Sequence, residues 1–262
     1  MLLQSYFTRV PCGFFVEVGA NDPEHNSQTW NLEQRGWTGV LVEPLPELAR
    51  KLRERRRSKV YEVACSSPAN AGKSLALRLA GPHSSIEPNY FVAGTRSSGE
   101  LMVQARTLDD ILIDAQAPRP IDFLSIDVEG HAVEVLAGID LKRWRPRLIL
   151  VEDHATDLRI HHALSAQGYR WVRRSGINGW YVPNESPEQI GLLGKWQFFR
   201  KHYLGTPFRR MRERKRKLRQ RVRERLWVIP ESIRYGCYFS GSRRSTCERG
   251  GVQCWLASWR LA

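Results

Sequence analysis

The chain is short of several things, and each shortage excludes a class. Its five cysteines, at positions 12, 65, 237, 247 and 254, include no C-x-x-C pair. Neither a zinc ribbon nor a dithiol redox centre is therefore written in the sequence, and reduced thiols are expected. No apolar run approaches the roughly 20 residues that a bilayer-spanning helix requires. Residues 1–7 combine no basic stretch with a long apolar core, so no secretion signal is expected and the reading is cytoplasmic, with peripheral attachment to a membrane kept open. Acidic residues are scarce beside basic ones, 27 against 41, for a formal net charge of +14. Between positions 195 and 225 there are fourteen Lys and Arg against Glu213 and Glu224, so most of the excess lies in that segment and the rest of the chain is close to neutral. Also missing is the G-x-G-x-x-G turn of a dinucleotide site: after Gly19 come Ala20, Asn21, Asp22 and Pro23. A nicotinamide dehydrogenase is disfavoured on that ground.

What is present is organised around residues 14–22, Phe-Phe-Val-Glu-Val-Gly-Ala-Asn-Asp. Four β-prone apolar positions run into a small-residue turn flanked by acids, which is how a buried parallel strand ends when its carboxyl edge receives a ligand. Gly19 and Ala20 let backbone approach that ligand closely. The carboxylate of Glu17 repels a pyrophosphate and favours a cation, so a nucleoside with a positive centre and no phosphate, such as S-adenosylmethionine, fits best. A second apolar strand, 38–43, closes in Glu43, near the ~20-residue spacing at which a βαβ unit delivers a carboxylate to ribose hydroxyls.

The remaining elements follow in alternation. Helices are expected over 27–35 and 46–57, the second an Arg-rich solvated face, and a third strand over 60–65. Residues 75–79 alternate as an edge strand, and 81–99, polar and holding His83, Asn89 and Tyr90, read as a lid or binding loop. Thr107 caps a helix over 108–115. Strand 121–127 runs into Val128-Glu129-Gly130-His131, the densest group of ionisable side chains at any expected strand end, and a helix follows through Val133 and Leu136. Strand 147–151 closes in Glu152-Asp153-His154. A helix over 158–167, with His161 and His162 on its surface, precedes strands over 169–174 and 179–182. This rhythm predicts an α/β fold with a mostly parallel sheet covered on both faces and a final antiparallel pair. The organisation expected is a lead-in over 1–13, one domain over 14–194, a basic amphipathic helical segment over 195–230 and an irregular tail over 231–262.

The blocks Val16 to Asp22, Gly36 to Pro44, Thr107 to Asp110 and Ile121 to His131, in this order, resemble the FkbM family of S-adenosylmethionine-dependent methyltransferases. The resemblance covers about residues 14–183. It implies a Rossmann-like class I methyltransferase sheet and methyl transfer to oxygen, often on sugars or secondary metabolites. It further implies that Glu17, Gly19 and Ala20 line the methionine end of the cofactor and that Glu43 takes the ribose hydroxyls. Asn21 and Ala64 are counted with the cofactor contacts, and Asp127 with Glu129 stands where acceptor and cofactor meet.

A hydroxyl acceptor must lose its proton to a group within hydrogen-bond reach. The candidates are His131, His154, Glu129 and Asp127, with a carboxylate-assisted histidine preferred. Two carboxylates ending an apolar strand destabilise a fold unless they meet a ligand or cation. A divalent ion held by Asp127, Glu129 and His154 is the less favoured alternative to a metal-free site. Beyond Thr206 and Pro207, apolar residues from Phe208 to Ile229 form one stripe among Arg and Lys, a pattern for an anionic membrane surface, for nucleic acid, or for packing on the domain or a second copy. The expected activity is methylation of a hydroxyl on a sugar, glycolipid precursor or small metabolite. Alternatives are an RNA methyltransferase held by the basic tail and a non-catalytic peripheral or scaffold protein.

Overall fold

The computed structural model describes residues 2–87, 97–153, 157–207, 210–211 and 214–215, and the fold is that of the unit Met1–Arg212. Its centre is a sheet of seven strands. β1 (Phe14–Val18) lies between β2 (Thr38–Val42) and β7 (Phe123–Ile126); β3 (Lys59–Tyr61) flanks β2, and β8 (Leu148–Glu152) flanks β7. These five run parallel, and β10 (Asn178–Pro183) and β9 (Tyr169–Ser175) close the far edge antiparallel. β1, β2, β7 and β8 are buried almost residue for residue, as strands must be when helices cover both faces.

Strand alternation sorts the core into two layers. Val16, Val18, Val40, Val42, Leu124 and Ile126 face one way, against α4 (Leu108–Asp114), α5 (Ala132–Ala137), α6 (Leu141–Trp144) and α7 (Arg159–Ala166). Phe15, Leu41, Phe123 and Leu148 face the other way, against α1 (Leu2–Tyr6), α2 (Trp30–Gln34) and α3 (Pro46–Arg55). α4 begins where Thr107 accepts the amide of Asp110 at 3.1 Å, the expected cap. α8 (Leu192–Phe199), continued by a π-helical turn over Arg200–Leu204, packs on β9 and runs through the 194/195 boundary drawn from the sequence.

The stretch 60–65, expected as one strand, divides in two. β3 stays in the main sheet, while β4 (Ala64–Cys65) turns away to pair with β6 (Gly99–Arg106), which pairs in turn with β5 (Ser74–Leu79). This three-stranded sheet, with β5 at one edge as its alternation implied, has its own small core of Ala64, Leu77 and Val103. α3 carries exposed Arg50, Arg53 and Arg55, but Arg56, expected on the same solvated face, is buried. No helix among the described residues is long and apolar enough to cross a membrane. Most of the helix expected beyond Thr206, together with Asn89, Tyr90 and His154, lies outside the described residues.

Candidate active site

The chain leaves β1 toward β2 and β3 on one side and later returns to β7 on the other, so the carboxyl ends of β1 and β7 frame the point where strand order reverses. Open parallel sheets bind ligands at such a point. A cleft enclosing about 600 Å³, its open mouth included, lies there, lined by the ends of β1, β2 and β7, by β4 and by Gly81, Pro82, Ser84 and Ile86.

The floor is made by two turns tied together. Gly19 holds φ +79°, and a Cβ at this position would overlap the carbonyl oxygen of Asp127, so glycine is needed for both conformation and contact. The amides of Gly19 and Ala20 donate to the Val42 carbonyl at 2.9 and 3.1 Å. Glu43, one residue past the end of β2, accepts the amide of Asn21 through Oε2 at 2.9 Å and the amide of Leu45 through Oε1 at 3.0 Å. Burial pushes its carboxyl up, and those two N–H donors oppose the shift. Each oxygen keeps a lone pair for a hydroxyl.

Across the cleft, Asp127 and Glu129 follow β7. Asp127 accepts no hydrogen bond from the described residues; burial, then the carboxylates of Glu129 and Glu17, push its carboxyl up to about 6. Glu129 adopts φ +47°, a left-handed conformation that tight packing around it must hold. Ser85 Oγ donates to its carbonyl at 2.6 Å, and its Oε1 lies 3.2 Å from His83 Nδ1. His131 is 4% exposed, with Nε2 2.9 Å from Ser66 Oγ and Nδ1 2.8 Å from Glu87 Oε1. Both of its ring nitrogens are thus engaged, and the ring holds Glu87 while Glu129 holds His83 and Ser85 over the end of β7.

Of the residues expected to hold a cofactor, Gly19, Asn21, Glu43 and Ala64 line this cleft together with Asp127, Glu129 and His131. Glu17 and Ala20 do not. Glu17 shares the face of Phe15, and its carboxylate accepts Ser27 Oγ at 3.0 Å, Thr29 Oγ1 at 2.5 Å and the Gln28 amide at 2.8 Å. The same hydroxyls accept from Arg56 at 3.2 and 2.8 Å, and Arg56 pairs with Glu33 at 2.7 Å. Burial pushes the Glu17 carboxyl up, opposed by these donors and by Arg56. Its role is to anchor the loop leading into α2, while Ala20 packs in the core beside Phe15 and Leu32. His83 was placed in the loop by sequence but not among the site residues, since its carboxylate partner lies 46 positions away. Among the described residues no three His, Cys, Asp or Glu side chains come together as metal ligands.

A doubly wound sheet with an acid-rimmed cleft at its reversal point defines a Rossmann-like α/β domain. The chain belongs to the FkbM methyltransferase family, whose domain, described as Methyltransferase FkbM domain, matches residues 17–171. Among solved structures, the precorrin-6y C5,15-methyltransferase of Geobacter metallireducens GS-15 is similar over 69% of this chain and 83% of that one, at 12% identity and a TM-score of 0.36. No curated protein matches.

Proposed function

We propose that this methyltransferase uses S-adenosylmethionine to methylate a hydroxyl of a sugar, glycolipid precursor or small metabolite. The observation that carries the reading is the charge of the cleft: its described lining holds the carboxylates of Glu43, Asp127 and Glu129 and no Lys or Arg. Such a wall repels phosphate and attracts a cation. The tied turns support the fit, since Gly19 lets the β1 and β7 turns meet under the cleft and Glu43 presents two anchored oxygens where ribose hydroxyls would lie.

When bound, S-adenosylmethionine supplies an electrophilic methyl on a positive sulfur. This chain's part is positioning and proton handling. Gly19, Asn21 and Glu43 hold the nucleoside; Asp127, which accepts no hydrogen bond from the described residues, offers its charge to the cationic end. His83 stands at the rim, its side chain 42% exposed. With Nδ1–H donating to Glu129, its Nε2 is the acceptor for the proton of an incoming hydroxyl, whereas buried His131 is committed to Ser66 and Glu87. Holding two reactants in line and dry accounts for several kcal/mol of barrier in favourable cases.

The test is titration calorimetry with S-adenosylmethionine, followed by a radiolabelled-methyl screen of sugar, lipid and RNA fractions. Saturable binding with label entering a sugar, lipid or small-molecule fraction is expected. Absence of binding heat overturns the enzyme reading, and label confined to RNA overturns the acceptor class.

A further inference from the structure

α8 and the π-helical turn put their two faces to different uses. Inward, Gly194 lies so close to the Val172 carbonyl that no Cβ fits. Gln197 hydrogen-bonds the Arg174 backbone at 3.0 and 3.2 Å, Phe198 packs 5.7 Å from Trp171, and buried Lys201 pairs with Asp153. These positions, spaced i, i+3, i+4 and i+7, fix the segment on β9 and on the carboxyl end of β8, the side of the sheet where the cleft opens.

Outward, Leu192, Trp196, Phe199 and Tyr203 recur at i, i+4, i+7 and i+11, exposed by 86%, 54%, 45% and 65%. The three rings stack in file, with centroids 6.0 Å apart for Trp196 and Phe199 and 5.2 Å apart for Phe199 and Tyr203. Exposed single hydrophobes are ordinary, but a contiguous row of this size marks a surface that meets something. Exposed Lys195 and Arg200 flank the row, and Arg210, further along the same unit, is exposed as well.

We propose that this face docks on an anionic lipid bilayer, with the aromatic file in the boundary between headgroups and acyl chains and the basic residues on the lipid phosphates. Trp and Tyr, apolar in body and polar at the tip, favour that boundary, and Lys and Arg favour its charge. The composition selects among occupants. Nucleic acid would use the charge but needs open ring faces, and here the rings stack on one another. A second copy would bring the same positive surface against this one.

The test uses the full chain with phosphatidylcholine vesicles, with and without phosphatidylglycerol, in a flotation assay. Binding to the anionic vesicles alone is expected. The variant Trp196→Ser/Phe199→Ser/Tyr203→Ser, changed only at exposed positions, should lose about tenfold or more in partitioning at unchanged salt while keeping its circular dichroism. Trp196→Phe keeps the apolar row, so it should still bind but lose part of the tryptophan quenching by brominated lipid. Wild-type partitioning in the triple variant, or undiminished quenching in Trp196→Phe, overturns the proposal. So does failure of the wild type to float while it sediments as a dimer or prefers RNA.

Discussion

Asp127→Asn should stabilise the ligand-free protein, and only above acidic pH. The native carboxyl titrates at about 6 because it is buried beside Glu129 and Glu17, whereas an unfolded aspartate titrates near 3.9. Between those values the native state holds a proton that the unfolded state has released, so stability falls as pH rises through the window. Below about pH 4 both states are protonated and the penalty vanishes. A gap of roughly two pKa units corresponds to about 3 kcal/mol at most, and solvent at the mouth of the cleft lowers this to about 1–3 kcal/mol. Asparagine keeps the shape and removes the charge. In thermal melts of wild type and variant from pH 4 to pH 8, the two curves should coincide at the acidic end. They should separate with the variant above by about 2–4 °C per kcal/mol. Equal melting temperatures throughout, or a gain confined to low pH, would refute the electrostatic account of the rim. The same variant should bind S-adenosylmethionine more weakly, because the charge that destabilises the empty cleft is the one offered to the cation.

Glu43→Ala should weaken cofactor binding by about 1.5–3 kcal/mol, roughly 10- to 150-fold, since charged acceptors are lost to the ribose; calorimetry reads this directly. His83→Ala should lower turnover by about 10²–10⁴-fold with cofactor affinity nearly unchanged, and Glu129→Gln should shift the acidic limb of the pH–rate profile. A parallel loss of affinity in His83→Ala would assign the ring to binding. Arg56→Ala leaves Glu33 buried without its cation, the side chains being 0% and 2% exposed as a pair, so urea unfolding should show a loss of about 3–5 kcal/mol.

Where the sequence was legible, the reason is that local pattern and tertiary role agree. Near-continuous apolar runs over β1, β2, β7 and β8, interrupted by Glu17 and Ser125, have one stable home, a sheet covered on both faces, and the alternation of strands with helices leaves few topologies for it. Legibility failed where partners are distant. Arg56 reads as one more surface arginine, because Glu33, Thr29 and Ser27, which bury it, lie 23 to 29 positions upstream. The pairing of His83 with Glu129 spans 46 positions. β6 carried a usable signal, Leu101, Val103 and Ala105 in alternation, but Met102 on the other side, 61% exposed, breaks the polar phase.

Glu17, Glu43 and Asp127 separate by a simple rule of position. Glu17 lies inside β1, one residue before its end, so the pleat must turn it to one face of the sheet. That face belongs to α2 and α3, and the carboxylate becomes their anchor. Glu43 and Asp127 each stand one residue past the last ladder position of their strands, Val42 and Ile126, where no neighbouring strand or helix claims the side chain and the cleft does. The difference between a structural and a cleft-lining acid here is one or two residues of strand length. Motif spacing alone does not resolve that distance, because the same small-residue turn follows whichever residue ends the ladder.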